Sequence, residues 1–377
     1  MSNIEIDCAF PGGNIIVEDI HGDVVTLRQD RRDTEGFWFY WYFRARGAAG
    51  RTLDFRFTDG KTVGVRGPAI SLDEGDTWAW ASGITDIANS FKYVFPEGAD
   101  AVRFSFGMPY TQANWDRFIA RQGDHPALSR GELCRSRKGR QVEMLRAGRL
   151  DGDPLARVAV TCRHHCCEMM ASYAVEGVIE SVLADDDTGR WLRENIEVLV
   201  VPFVDKDGVE DGDQGKNRRP RDHNRDYDAD SIYPETKAIS HLLPDWGDGR
   251  LRLTLDLHCP GKSGDWNEHV YQVGRDQPEM WGEQQRFGRV LEASRAGPLP
   301  YSAANDLPFG EAWNAGQNYD SGCSFSRWAS GLPDVQLATS FEIPYANASG
   351  IAVNAATARA FGRDLGRALC LYLEQDI

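Results

Sequence analysis

The chain contains no run of about 18 consecutive apolar residues, so it offers no candidate for a membrane-spanning helix. Positive charge is scarce as well. Lysine and arginine number 42 against 57 aspartates and glutamates, for a formal net charge of -15. That balance leaves no basic footprint for nucleic acid, and a polyanion would need a strictly local basic pocket. The eight cysteines follow no framework spacing, so reduced thiols in a cytosol are expected rather than a disulfide-stapled secreted scaffold. Residues 1–7 lack the basic and then apolar segments of an export signal. The expectation is a cytoplasmic protein with neither nucleic acid nor membrane as a partner. Internal repeats and low-complexity segments are absent too.

What is present suffices for a substantial core. At 377 residues and 41% hydrophobic, the chain is long for one domain, and two are expected. Residues 1–121 read as an antiparallel β-sandwich: short runs rich in β-branched and aromatic residues alternate with turn signals such as Pro11-Gly12-Gly13 and Asp59-Gly60-Lys61. Residues 37–43 are all aromatic. They read as a central strand packed on both faces, with a stacking platform for a ligand as the alternative. Residues 122–138 read as a connector running into the basic cluster at 135–140, taken as a solvated loop or part of a cleft mouth.

Beyond residue 140 the pattern changes. Residues 158–161, 196–203, 251–257 and 335–341 read as buried strands, and 169–183 and 354–375 as helices. Alternating strand and helix predicts an α/β domain over residues 122–377 with a mixed, mostly parallel sheet flanked by helices. Such sheets bind ligands at the carboxyl ends of their strands.

The residues placed at those ends carry chemistry. His165-Cys166-Cys167-Glu168 follows the first parallel strand, Arg218, Asp222, Asn224 and Arg225 follow the second, His258 ends the third, and Glu342 closes the fourth. Two histidines and one carboxylate can hold Zn²⁺ and leave a position open for water. A further glutamate can take a proton from that water. Arginine and asparagine can hold a carboxylate and a developing oxyanion. Asp222 can accept the other N–H of a ligand histidine. Asp256, two residues before His258 on one strand, can do the same or cap the strand end. His164 competes with His165, though the three-residue step to Glu168 favours His165. The neighbouring thiols Cys166, Cys167 and Cys259 read as buried and inert, with exchange into the metal site as the alternative.

In its order H-x-x-E, R, D-x-N-R, H, E, the chain resembles the M14 zinc carboxypeptidases. More closely it resembles their cytosolic subfamily, which carries an N-terminal β-sandwich. Phe10-Pro11-Gly12-Gly13-Asn14, Phe37-Trp38-Phe39-Tyr40 and Pro109-Tyr110-Thr111 fit that sandwich. The resemblance implies one zinc per chain on His165, Glu168 and His258, with Glu342 as general base and Asp222 as the partner of His165. It implies that Asn224 and Arg225 grip the substrate's terminal carboxylate and that Arg218 polarises the scissile carbonyl, with Arg219 the competing choice. Arg327, in the segment 322–327, would favour an acidic terminal side chain, with a surface ion pair as its other reading. Tyr319 would cover the substrate. The implied activity is removal of C-terminal residues from peptides or proteins. An N-acyl amino acid amidohydrolase of the aspartoacylase or succinylglutamate desuccinylase type is the enzymatic alternative, and an inactive binding module the non-enzymatic one. Oligomeric state is not legible.

Overall fold

The computed structural model describes residues 4–81 and 89–375. The remainder, including residues 1–3 on which part of the leader reading rests, lies outside the described residues. The first nine strands are β1 (Glu5–Asp7), β2 (Ile16–His21), β3 (Val24–Arg28), β4 (Tyr42–Arg46), β5 (Thr52–Phe57), β6 (Ala69–Ser71), β7 (Ala79–Trp80), β8 (Ser90–Val94) and β9 (Ala101–Ser105). They form two sheets, ordered β1-β4-β9-β6-β7 and β2-β3-β5-β8. The sandwich is not wholly antiparallel, because β3 and β5 pair in parallel. Alternate aromatic residues on facing strands fill the space between the sheets. Phe55 meets its neighbour in the same sheet, Phe91, at 4.9 Å and Phe104 of the opposite sheet at 5.1 Å between ring centroids, within the range of favourable aromatic pairs.

Of the aromatic run 37–43, only Tyr42 and Phe43 lie in a strand. Phe39 through Phe43 are nonetheless buried. Polar handles explain the local geometry: Trp41 Nε1 donates to Thr62 O at 3.0 Å, and Tyr40 OH to Gly12 O at 2.7 Å. Residues 39–43 pack inward, Phe37 is exposed, and Trp38 reaches the cavity described below.

The second half contains α1 (Gln112–Gln122), β10 (Leu128–Arg135), β11 (Gln141–Gly148), β12 (Ala156–Cys162), α2 (Met169–Leu183), α3 (Asp187–Asn195), β13 (Ile196–Val201), α4 (Lys206–Asp211), α5 (Pro234–Gly247), β14 (Leu251–His258), β15 (Tyr271–Val273), α6 (Pro278–Ser294), α7 (Phe325–Ala329), β16 (Leu337–Glu342), β17 (Asn347–Ala348), β18 (Ile351–Ala352) and α8 (Ala355–Glu374). Seven of these strands form one sheet, ordered β10-β11-β13-β12-β14-β16-β15. The stretch read as a connector therefore holds β10, an edge strand. The basic residues after it lie at the β10–β11 turn, where Arg140 pairs with Asp207 and Asp211 of α4 at 2.9 and 2.7 Å. The four central strands β13, β12, β14 and β16 are parallel, and apart from the half-buried Arg252 of β14 they are buried throughout. Continuous apolar runs are what a sheet covered on both faces requires. No helix among the described residues is long and apolar enough to cross a membrane.

Helices α2 and α8 cover one face and cross where both lack a side chain. A Cβ at Gly362 would lie 1.9 Å from Ala174 O, and one at Gly177 2.0 Å from Arg359 O. Alanine in a helix interior gains about 1 kcal/mol over glycine in propensity. Here the backbone collision outweighs that gain. Gly362→Ala is expected to cost a net 1–3 kcal/mol or so, read as a lower denaturant midpoint. A raised midpoint would mean that the helices can separate without cost.

Candidate active site

Parallel pairing brings distant residues to one sheet edge. The β14–β16 register sets His258 opposite Glu342, and the β12–β14 register sets Thr161 opposite Asp256. The turn after β12 carries His165 and leads to Glu168, the residue immediately before α2.

Three of these side chains share one small space. Glu168 Oε1 lies 2.9 Å from His165 Nδ1, and its Oε2 lies 2.7 Å from His258 Nδ1. Their donor atoms all fall within 4.8 Å of one another. The opposite ring nitrogens are also engaged: His165 Nε2 lies 3.2 Å from Asp222 Oδ1, and His258 Nε2 lies 2.6 Å from Asp256 Oδ2. Each histidine thus sits between two carboxylates. Burial works against a charged ring, but Asp222 and Glu168 outweigh it at His165, as Asp256 and Glu168 do at His258. Both rings are held above the usual histidine range. Burial likewise opposes a charge on Glu168, yet Lys216 and the two histidines hold it well below the usual carboxylate range.

These donors fit a zinc ion. Two imidazole Nδ1 atoms and one carboxylate converge, and the outer carboxylates can fix the required tautomers. A second cluster, His164 with Asp256 and His258, also meets the distance criterion. His164 makes no contact with Glu168: its Nδ1 lies 2.8 Å from Asp256 and its Nε2 2.6 Å from Tyr227 OH. His164 is fully buried, whereas His165 and His258 line an open cavity.

That cavity holds about 260 Å³. His165, Asp222, Asn224, Arg225, His258, Tyr319 and Glu342 all contribute to its lining. Arg225 Nε donates to Asn318 O at 3.0 Å, and its guanidinium lies 5.2 Å from the Tyr319 ring. Asn224 Oδ1 accepts from Phe325 N at 3.0 Å, which fixes the amide. Tyr319 OH donates to Asn314 Oδ1 at 2.7 Å. The cavity-facing Glu342 has an oxygen, Oε2, with no hydrogen-bond partner among the described residues. Burial pushes its carboxyl up to about 7, against the pull of His258.

Three of the expected site residues do not line the cavity: Glu168, fully buried beside its two histidines, Arg218 and Arg327. Arg218 is committed to carboxylates: Nη1 lies 2.9 Å from Asp213, and Nη2 pairs with Asp205 and lies 3.6 Å from Asp33. Arg327 pairs with Asp276 at 3.2 Å and borders a separate depression with Asp228 and Cys323. Arg219 pairs with Glu35 and is exposed. The thiols are also occupied elsewhere. Cys166 Sγ donates to Asp213 O at 3.0 Å, Cys167 Sγ lies 3.5 Å from Tyr345 OH, and no cysteine joins a metal-ligand cluster among the described residues. All eight cysteines are free.

Comparison with known families matches residues 118–346, more than half of the chain, to the zinc carboxypeptidase (peptidase M14) family. The chain belongs to that family. Zinc carboxypeptidases are metal-dependent peptide hydrolases that act on peptide or protein C-termini. Among curated relatives, cytosolic carboxypeptidase 2 of Xenopus tropicalis is 28% identical over 37% of this chain and 15% of its own length. Cytosolic carboxypeptidase 6 of Caenorhabditis elegans is 25% identical over 45% of this chain and 39% of its own length. The chain therefore spans well under two thirds of these two relatives. Among solved structures, a metallo-carboxypeptidase from Burkholderia cenocepacia aligns over 100% of both chains with a TM-score of 0.80 and 20% identity. One from Pseudomonas aeruginosa aligns over 98% of this chain and 99% of its own with a TM-score of 0.74 and 23% identity. At such identities these two likenesses show the fold, the N-terminal sandwich included.

The carboxypeptidase cavity also contains residues that sequence reading did not single out, chiefly Lys216 and Trp38. Proximity to the Arg218–Arg225 motif was the available signal for Lys216. Trp38 was hidden in a run of seven aromatics.

The raised carboxyl of Glu342 makes a prediction for the metal-free protein. Below its ordinary value of 4.5, folded and unfolded chains both keep the proton. Between 4.5 and about 7 the unfolded chain releases it first, so stability falls as pH rises through that window and levels off above it. Glu342→Gln removes this loss. The variant is expected to be about 1–3 kcal/mol more stable than the parent at pH 8, and much less so at pH 5. Thermal melts at both pH values measure it, and an equal gain at both would refute the raised carboxyl.

Proposed function

We propose that this chain is an active metallocarboxypeptidase with one zinc ion held by His165, Glu168 and His258. The observation that carries the reading is the meeting, in one cavity, of the imidazole donors, the unpartnered carboxyl of Glu342 and the guanidinium of Arg225. Asp222 and Asp256 would accept the outer N–H groups of His165 and His258 and keep Nδ1 free to bind metal. When bound, zinc supplies Lewis acidity toward the scissile carbonyl and the attacking water. Asn224 and Arg225 hold the substrate's terminal carboxylate, so the last peptide bond is the one presented. Glu342 takes the proton of the water and returns it to the leaving amine. A carboxyl near 7 suits both halves of that task. Tyr319, at the end of the turn Gly316–Tyr319, would cover the bound residue.

The expected preference for acidic terminal residues rested on Arg327, whose charge is met by Asp276 outside the cavity. Ser324, Ser326, Ser340 and Val273 are among the remaining lining, and they support a neutral terminal side chain. We further propose a division into an N-terminal unit, residues 1–121, that holds the sandwich and all but the last residue of α1, and a catalytic unit, residues 122–377. Free thiols and the cytosolic relatives support a cytoplasmic location.

A scan of short peptides that differ in the last residue, with a C-terminally amidated control, tests the activity. Release from free-acid peptides alone is expected, fastest for neutral residues. Glu342→Gln should retain zinc and lose about two to four orders of magnitude in rate. Release confined to Glu and Asp would restore the acidic pocket. No release from any peptide, with turnover of N-acyl amino acids instead, would overturn the peptidase reading.

A further inference from the structure

Peptide hydrolysis at this site builds negative charge on the scissile carbonyl oxygen, and a cation already aimed at that oxygen stabilises the transition state. Among the described residues, the lysines and arginines lining the cavity are Lys216 and Arg225. Arg225 is assigned above to the terminal carboxylate. Arg218 sits among Asp33, Asp205 and Asp213, and turning it into the cavity would strand buried carboxylates without a counter-charge.

Lys216 is placed differently. Its Nζ lies 2.8 Å from Glu168 Oε1 and donates to Cys259 O at 2.9 Å. An ammonium has three N–H groups, so these two contacts leave a third for a cavity ligand. The ring of Trp38, a neighbour in the cavity wall, lies 5.4 Å from Nζ. The backbone around Lys216 is tied down by the sandwich. The Asp33 carboxylate accepts from Gln214 N at 3.0 Å and Gly215 N at 2.9 Å, and Asp33 O accepts from Arg219 N at 2.9 Å. Thr34 Oγ1 donates to Lys216 O. The Gln214 side chain accepts from Tyr40 N and donates to Tyr40 O, both at 2.8 Å.

We propose that Lys216, held in place by the N-terminal sandwich, supplies the cation that meets the scissile carbonyl oxygen as it becomes an oxyanion. The proposal rests on the carboxypeptidase reading. A lysine acts there as a compact point charge, without the fork of a guanidinium. The sandwich thereby becomes part of the catalytic apparatus: it contributes Trp38 to the wall and fixes the segment that carries the charge.

Lys216→Met and Lys216→Arg test this against the parent. The measurements are zinc stoichiometry and affinity, kcat and KM on the best peptide of the scan, and affinity for a phosphinic peptide and for a free amino acid product. Lys216→Met is expected to retain zinc and to lose about 10²–10³-fold in kcat. Its affinity for the tetrahedral, anionic phosphinic peptide should fall by a similar factor, while KM and product affinity stay within about threefold. Lys216→Arg should recover part of both losses. Turnover and phosphinate affinity that stay near the parent's would overturn the proposal. So would weakened zinc binding with kcat restored by excess metal, which would reduce Lys216 to a clamp on Glu168. A parent that neither cleaves peptides nor binds the phosphinate would sink the carboxypeptidase reading, and this proposal with it.

Discussion

The carboxylate of Glu168, buried between His165, His258 and Lys216, is the interaction around which the site is built. A charge removed from water is tolerable only when it is paired and hydrogen-bonded on all sides. That demand propagates outward. The two histidines need Asp222 and Asp256 on their far nitrogens. Asp256 in turn accepts from Thr161 Oγ1 at 2.9 Å and approaches His164, which leans on Tyr227. Much of the polar interior at the carboxyl edge of the sheet is one connected network. Only a covered, parallel sheet, with strand ends from distant parts of the chain side by side, can present these groups together.

A second network lies beside the first and does a different job. Asp33, Asp205 and Asp213 surround Arg218, and burial with the neighbouring Asp33 charge holds Asp213 up at about 6 despite that guanidinium. The cluster joins the sandwich to the loop ahead of Asp222. A chain with 57 acidic residues can engage many of its arginines structurally, and here it does so close to the catalytic cavity. The structure separates arginines paired within the protein from the cations Lys216 and Arg225 that line the cavity.

The sequence was legible wherever the requirement is local. Helix α2 coincides with the run 169–183, and the buried strands β12, β14 and β16 follow their apolar runs closely, because period and composition act over a few residues. Elsewhere local signals failed. Strand β10 alternates only weakly and gains its place by pairing with β11, so it read as a connector. The parallel β3–β5 pair comes from chain crossing, to which composition is blind. The aromatic run read as a strand, yet the Gln214 side chain takes both the N–H and the C=O of Tyr40, and only Tyr42 and Phe43 join a strand.

For the site, the sequence by itself determined the chemistry on offer. Candidate metal donors, a carboxylate able to act as a base and an arginine beside an asparagine could be proposed from residue type and order alone. Which groups face the cavity was decided by tertiary structure alone. Arg218, Arg225 and Arg327 are equivalent as letters, and only the placement of Asp33, Asp205, Asp213 and Asp276 engages two of them outside the cavity lining. Lys216 carries no mark in the sequence beyond its neighbourhood. Its position depends on Asp33 and Tyr40, well over a hundred residues earlier in the chain. Coulombic pairing and hydrogen bonding depend on distance in space, and that distance exists only once the sandwich and the sheet have packed together.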